Sequence, residues 1–143
     1  MTPKEAQFIS QMEKFGNNAG LSPSVAKVLG YLSICEPAHQ PASKIQDTLG
    51  LSSGSISEAM SALVRSETVI RFKKPGDKKF YYELDTDAWR RATIHKLQAI
   101  SGAVTMAENG MKAFPGNRRL EVMHELYTLF DNELSKIVKK LKS

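Results

Sequence analysis

The sequence predicts a mainly α-helical protein with one small β-hairpin, followed by two long C-terminal helices. Three observations support this fold class. Apolar residues recur at helical spacing over most of the chain, whereas residues 68–84 contain two β-rich runs around a Pro-Gly-Asp turn. The apolar positions of the last helix step by three and four residues, as in a heptad repeat. With 143 residues, 41% of them hydrophobic and 24% charged, the chain has the composition of a globular protein.

The first four helices are predicted from their start and stop signals. Thr2-Pro3-Lys4-Glu5 has the form of a capping box with proline at the first helical position. Ser22-Pro23 repeats the cap-plus-proline signal, Pro41 precedes the third helix, and Ser52 caps the fourth. Glycine, asparagine or proline follows the first three helices and stops them. The predicted spans are about 3–15, 23–35, 42–49 and 53–66.

The hairpin and the terminal helices follow from a change of period. Residues 68–72 and 80–84 are β-rich, and the basic segment 73–79 joins them. The helical period returns at Asp87, breaks at 114–116, and restarts at Asn117, which caps the last helix. That helix carries an apolar seam of three heptads: Leu120, Met123, Tyr127, Phe130, Leu134, Ile137 and Leu141. A small hairpin domain cannot bury this seam alone, so we predict a homodimer; an intramolecular helical hairpin is the alternative.

Two short helices joined by Gly50-Leu51-Ser52 and followed by a hairpin are in the order of a winged helix-turn-helix. On a helical wheel of residues 52–65, apolar side chains gather on one side and small polar ones on the other. A helix that enters the major groove of DNA needs low bulk and hydroxyl groups on its outer face. The alternative is an ordinary amphipathic helix with a serine-rich, solvent-facing side.

Charge supports DNA as the partner. The net charge is +5, and residues 65–79 contribute +4 of it, with six basic and two acidic side chains. A concentrated basic patch is typical of a protein that binds a polyanion, although a solvated lysine-rich hairpin would look the same. The candidate DNA-binding residues are Lys44, Ser52, Ser53, Gly54, Ser55, Ser57, Glu58, Ser61, Arg65, Lys73, Lys74, Lys78 and Lys79. Glu58 could accept a hydrogen bond from cytosine, or it could pair with Arg65 or a neighbouring lysine.

A specific combination of motifs lies in this region. Residues 49–57 read Leu-Gly-Leu-Ser-Ser-Gly-Ser-Ile-Ser, and residues 76–79 read Gly-Asp-Lys-Lys, followed by Tyr81-Tyr82. Over residues 21–82 the chain resembles the GbsR branch of the MarR-type bacterial transcriptional regulators. The resemblance implies a dimeric winged-helix DNA binder, commonly a repressor, and some members of the family respond to small molecules.

The resemblance also implies roles for individual residues. Ser53, Ser55, Ser57 and Ser61 would lie at the DNA groove, and Lys78 and Lys79 would meet the DNA backbone or minor groove. Two positions depart from the family pattern. Glu67 stands where the family usually has glycine, so a different turn is expected there. Lys78 stands where arginine is common, and lysine cannot make the same planar contact.

The sequence therefore predicts three segments with different roles. Residues 1–19 form an N-terminal helix that supports the dimer, residues 20–86 form the winged helix-turn-helix, and residues 87–143 form a long helical hairpin for dimerisation. Tyr31, Trp89, Tyr127 and Phe130 could line a pocket for a small-molecule effector of unknown identity, although core packing explains these aromatics equally well.

Other functions are less well supported. Cys35 lies on an apolar helix face and is expected to be buried and inert. No metal site, cofactor or enzyme motif is found; Glu121, His124 and Glu125 lie close on one helix but are expected to face solvent. A secretory leader and a membrane span are not expected, and we predict a cytoplasmic protein. A protein–protein adaptor without DNA binding remains the alternative from a different functional class.

Overall fold

The computed structural model describes all 143 residues and contains six helices and three strands. Their bounds are α1 Pro3–Asn18, α2 Pro23–Ile34, β1 His39–Pro41, α3 Ala42–Leu49, α4 Ser53–Arg65, β2 Val69–Lys73, β3 Phe80–Leu84, α5 Ala88–Ala113 and α6 Arg118–Lys142. The mainly α-helical fold with a small β-hairpin is confirmed. The dimerisation role of the last two helices stays a prediction.

Side-chain caps start four of the helices at the predicted residues. Thr2 and Glu5 form the complete capping box, in which each side chain accepts a hydrogen bond from the other's backbone N–H. Ser22 and Ser52 each accept from the backbone N–H three residues further on. Asn117 accepts from two N–H groups in the first turn of α6. These local signals explain why the starts of four helices were predicted correctly. The predicted end of the first helix was wrong, because α1 continues through Gly16-Asn17-Asn18.

The sheet has three antiparallel strands in the order β1-β3-β2. Arg71 of β2 pairs with Tyr82 of β3, and Gln40 of β1 pairs with Tyr82 from the other side. The predicted hairpin is therefore present, but β1 was not predicted. That strand has only three residues and ends in proline, so it carries none of the length or alternation by which strands are recognised.

Residues 1–88 form one unit with a single apolar core. Helices α1, α2 and α4, together with Ile45 of α3 and Val69 of β2, supply its buried side chains. Gly30 of α2 allows the close approach of α1, because a Cβ there would lie 3.2 Å from the Cα of Ile9 and 3.2 Å from the Cβ of Met12. The N-terminal helix is thus part of the core that supports α4.

Residues 89–143 form a second unit, the helical hairpin of α5 and α6. Leu120 packs over Gly110, where a Cβ would come within 3.1 Å of the leucine side chain. His124 contacts Glu108 at 3.3 Å, and Ser101 donates a hydrogen bond to Asp131. No side chain of α6 is buried within the chain. The roles predicted for segments 1–19, 20–86 and 87–143 remain predictions.

None of the helices combines the length and the apolar character needed to cross a lipid bilayer.

Candidate nucleic-acid interface

Helices α3 and α4 form a helix-turn-helix around a tight three-residue turn. Gly50 ends α3 in the left-handed conformation, with φ of 64°, which glycine adopts without steric cost. Ser52 then caps α4, and the side-chain amide of Gln46 donates to the Ser53 hydroxyl at 3.3 Å. This hydrogen bond ties the two helices together at the turn.

The outer face of α4 is small and polar, as predicted. Ile56, Ala59, Met60 and Leu63 are buried in the core. The exposed residues of α4 include Ser53, Gly54, Ser57, Glu58, Ser61 and Arg65. Ser52 is also exposed, but its hydroxyl is occupied by the cap, and it donates at 2.9 Å to the half-buried Ser55. Ser57 and Ser61 are therefore the serines that present free hydroxyls along the middle of the helix.

Glu58 does not form the intramolecular ion pair that one interpretation of the sequence expected. Its side chain is exposed and makes no hydrogen bond or salt bridge within the chain. Arg65 lies seven residues further along, about two helical turns, and this separation is too great for direct contact. The carboxylate thus remains available to an external donor.

The tip of the wing, residues 74–79, is held by the Asp77 carboxylate. One oxygen accepts from the Lys79 backbone N–H at 2.9 Å, and the other accepts from the Tyr81 hydroxyl at 2.6 Å. The Tyr81 hydrogen bond, followed by that of Lys79, lowers the pKa of Asp77. The acidic residue of the tip therefore serves as an internal brace for a turn whose Gly76 has a φ of 78°.

The wing lysines differ in their surroundings. The Lys73 and Lys74 ammonium groups lie 4.7 and 4.5 Å from the ring centroids of Phe80 and Tyr81. Lys78 and Lys79 are exposed, and their side chains have no acidic partner in the chain. Lys44 is exposed on α3. All five of these predicted cations are accessible to a polyanion, and Lys78 and Lys79 are the least constrained.

A groove of about 620 Å³ lies between α4 and the strands of the wing. It is lined by Ala42, Ile56, Ser57, Met60, Ser61, Val64, Arg65, Arg71 and Tyr82. We call it the α4–wing groove. Arg71 and Tyr82 were absent from the predicted site. The basic window of the sequence contains Arg71, but its position opposite α4 depends on how the sheet packs, and no local pattern encodes that.

The turn after α4 contains Glu67 in the left-handed conformation, with φ of 59°. Glycine is the usual residue for this conformation, because a Cβ makes it unfavourable. The backbone N–H of Thr68 still reaches the Leu63 carbonyl at 3.0 Å, which closes the helix end. Glu67 therefore occupies a backbone position suited to glycine.

The predicted dimerisation seam is only partly covered within one chain. Phe130 and Ile137 are 49% and 44% exposed, whereas Leu120, Met123, Tyr127, Leu134 and Leu141 are half-buried. Three further apolar side chains on the same helix are also exposed: Val122, Leu126 and Leu129. On a helical wheel these three lie beside Phe130 and Ile137, so they widen the exposed apolar face of α6.

The four aromatics predicted for an effector pocket are divided between the two units. Tyr31 is buried in the first unit, and this burial raises its pKa. Trp89, Tyr127 and Phe130 belong to the second unit, where Trp89 is 43% exposed. The effector pocket stays a prediction.

Cys35 was expected to be buried, but it is only half-buried. Burial nevertheless raises the pKa of the Cys35 thiol, which disfavours the reactive thiolate.

The architecture is that of a winged helix-turn-helix protein. No family model matches the chain. The HTH-type transcriptional regulator MmpR5 of Mycobacterium tuberculosis is 25% identical over 138 residues, covering 93% of this chain and 84% of the relative. The crystal structure of a transcriptional regulator superposes with a TM-score of 0.72 at 24% identity, over 98% of this chain and 99% of the other. A MarR family transcriptional regulator from Streptomyces coelicolor gives a TM-score of 0.45 at 19% identity, over 88% and 85% of the two chains.

The solved structure with the TM-score of 0.72 supports the fold, and the similarity to the curated transcriptional regulator favours a DNA-binding regulator over an adaptor.

Proposed function

We propose that this protein is a homodimeric, sequence-specific regulator of transcription that binds double-stranded DNA and acts as a repressor of the MarR type. The observation that carries the proposal is the outer face of α4, where exposed Ser57 and Ser61 line the same groove as Arg71 of β2. The sequence resemblance to the GbsR branch supports the finer assignment within the MarR type, and it supports repression.

Helix α4 acts as the recognition helix in this proposal. Its small outer side chains permit close approach to the base edges of the major groove, where hydroxyls can donate or accept hydrogen bonds. Glu58, which has no partner in the chain, can accept a hydrogen bond from a cytosine amino group. A carboxylate on this face also repels phosphates, and this lowers affinity for DNA that offers no such donor.

The wing supplies affinity that does not depend on sequence. Lys78 and Lys79 are exposed at the tip, and the hydrogen bonds that Asp77 accepts come from the Tyr81 hydroxyl and the Lys79 backbone N–H rather than from a lysine ammonium group. Contact with backbone phosphates releases condensed counterions, so binding weakens as salt rises. If each of two subunits places about three basic groups near phosphates, log K should fall with log salt at a slope of roughly −5.

Dimerisation is supported by the exposed apolar face of α6. A 25-residue helix with no buried side chain leaves Leu126, Leu129 and Phe130 about half or more exposed. Apolar area of this extent on one helix is typical of an interaction surface. A two-fold dimer would place two recognition helices in successive major grooves about 34–36 Å apart, and its DNA site would then be a palindrome.

The proposal is tested by selecting duplexes from a random pool with the full-length protein and then titrating binding against salt. We expect a palindromic consensus that binds at least about a thousandfold more tightly than a scrambled duplex at the same salt concentration. Failure to enrich any sequence, together with no salt-dependent retention of duplex DNA, would refute DNA recognition. The protein–protein adaptor would then be the better explanation of the fold.

A further inference from the structure

The α4–wing groove has an arginine on each side. Arg65 approaches it from the last turn of α4, and Arg71 approaches it from β2. Its floor includes Ile56 and Met60, which are 5% and 4% exposed. No acidic side chain lines the groove. Two cations therefore face the same partly apolar space without a carboxylate to neutralise them.

Arg71 is already positioned for a ligand. Its guanidinium carbon lies 3.7 Å from the centroid of the Phe80 ring, which covers one face of the planar group. Stacking of this kind leaves the N–H groups at the edge of the guanidinium free to donate. Neither Arg71 nor Arg65 donates a hydrogen bond to any acceptor in the chain. Because the Phe80 ring restricts the Arg71 side chain before any ligand arrives, binding loses less side-chain entropy.

We propose that Arg71 and Arg65 together bind one DNA backbone phosphate at the rim of the major groove. The inference rests on the proposed DNA-binding function and adds a contact that neither the wing tip nor the serine face supplies. Ser57 and Ser61 line the same groove and also lie on the outer face of α4, so a duplex held against that face brings its backbone to the groove. A phosphate matches the paired donors of a guanidinium edge, and the apolar floor strengthens the ionic contact.

The DNA side of the test uses the duplex that the wild-type protein selects. Each phosphate in turn is replaced by an uncharged methylphosphonate, and affinity is measured with wild type and with Arg71→Ala. We expect one position in each half-site where the wild type loses about tenfold per subunit. Arg71→Ala should lose less there, because Arg65 still contacts the phosphate, and Arg71→Ala combined with Arg65→Ala should lose nothing further. This pattern identifies the phosphate that Arg71 contacts, because two changes to one contact are not additive.

The protein side of the test compares three variants in salt titrations. Arg71→Ala should weaken binding to the selected and the scrambled duplex alike, and it should reduce the salt slope by about 1 per subunit. Arg71→Lys should keep the slope while still losing affinity, since lysine lacks the planar pair of donors. Lys14→Ala is the control: Lys14 is an exposed cation on α1 that does not line the groove, and its removal should leave the affinity and the salt slope unchanged.

Two results would overturn the phosphate assignment while leaving DNA binding intact. One is a wild-type protein that binds with a steep salt slope, combined with an Arg71→Ala variant whose slope and methylphosphonate profile are unchanged. The other is saturable binding of inorganic phosphate to the free protein at micromolar concentration, abolished in Arg71→Ala, which would assign the groove to a free anion. A wild-type protein that binds no duplex at all would instead refute the proposed function, and the phosphate contact with it.

Discussion

The Tyr81 hydroxyl and the Asp77 carboxylate, 2.6 Å apart, join the start of β3 to the turn that precedes it. The same contact lowers the pKa of Asp77 and raises that of Tyr81. The conformation of the wing tip therefore depends on Asp77 being ionised and Tyr81 being neutral.

Replacing Tyr81 should change the acid response of the wing. A carboxylate whose pKa is lowered by folding stabilises the folded tip at pH values above the ordinary carboxyl pKa. This stabilisation is lost as the pH falls through the lowered pKa. Tyr81→Phe removes the largest cause of the shift, so the pKa of Asp77 should rise towards its ordinary value and the tip should loosen at a higher pH. NMR titration of the Asp77 carboxyl carbon measures this change. Tyr82→Phe is the control, and an equal shift in both variants would contradict the assignment.

The wing lysines should contribute charge rather than sequence preference. Lys78→Ala combined with Lys79→Ala should weaken binding to every duplex and flatten the salt slope by up to about 2 per wing, or about 4 per dimer. Lys139→Ala with Lys140→Ala removes the same charge from the last turn of α6 and should leave the slope near its wild-type value. If the wing variant keeps the full slope, the wing does not contact DNA phosphates, and the charge contacts come from another part of the protein.

The serine face should contribute sequence preference rather than charge. Changing Ser57 and Ser61 to Gln adds bulk without charge where α4 meets the base edges, so the ratio of specific to scrambled affinity should fall by about tenfold or more. The salt slope should stay unchanged, because counterion release counts neutralised phosphates. Ser135→Gln, an exposed change on α6, controls for the substitution itself. An unaltered ratio in the double variant would exclude this face from recognition.

Phe130 should be critical for assembly. Phe130→Glu places a charge in the exposed apolar face of α6 and should give monomers by sedimentation at micromolar concentration. Asn132→Glu adds the same charge on the opposite side of the helix and should remain dimeric. A wild-type protein that is itself monomeric at this concentration would refute the dimer.

Glu67 offers a test of backbone strain. Glu67→Gly should raise the free energy of unfolding by about 1 kcal/mol, because glycine relieves the unfavourable left-handed conformation. Gly50→Ala places a Cβ on a residue with the same left-handed conformation after α3, and it should lower the free energy of unfolding by a similar amount. Urea denaturation with an unchanged m-value measures both effects. A destabilised Glu67→Gly protein would mean that the side-chain contacts of Glu67 outweigh the strain.

What the sequence predicted was governed by short-range chemistry. Caps such as Thr2 and Asn117 act within one helical turn, so they located the starts of their helices correctly. Strand β1 was missed because its residues pair with a strand about 40 positions away, and nothing in His39-Gln40-Pro41 indicates that partner.

The candidate site also combines features that a local sequence pattern predicts with features that depend on tertiary packing. The serine face of α4 was visible in the helical period, whereas Arg71 acquires its position only when the sheet packs beside α4. The ion pair of Glu58 with Arg65 or a neighbouring lysine, one of two interpretations of this residue, is not formed. Arg65 is seven residues away, beyond the three- or four-residue spacing at which helix side chains meet.

The lack of any buried side chain in α6 has a consequence for how the protein behaves on dilution. In the proposed dimer, a second copy would cover the exposed apolar face of α6, so the melting temperature of the C-terminal helices would rise with protein concentration. The core of the first unit is formed within one chain and does not depend on concentration in this way. The abundance of this regulator in its cell would then determine the fraction of molecules whose C-terminal helices are folded, as well as how much DNA is occupied.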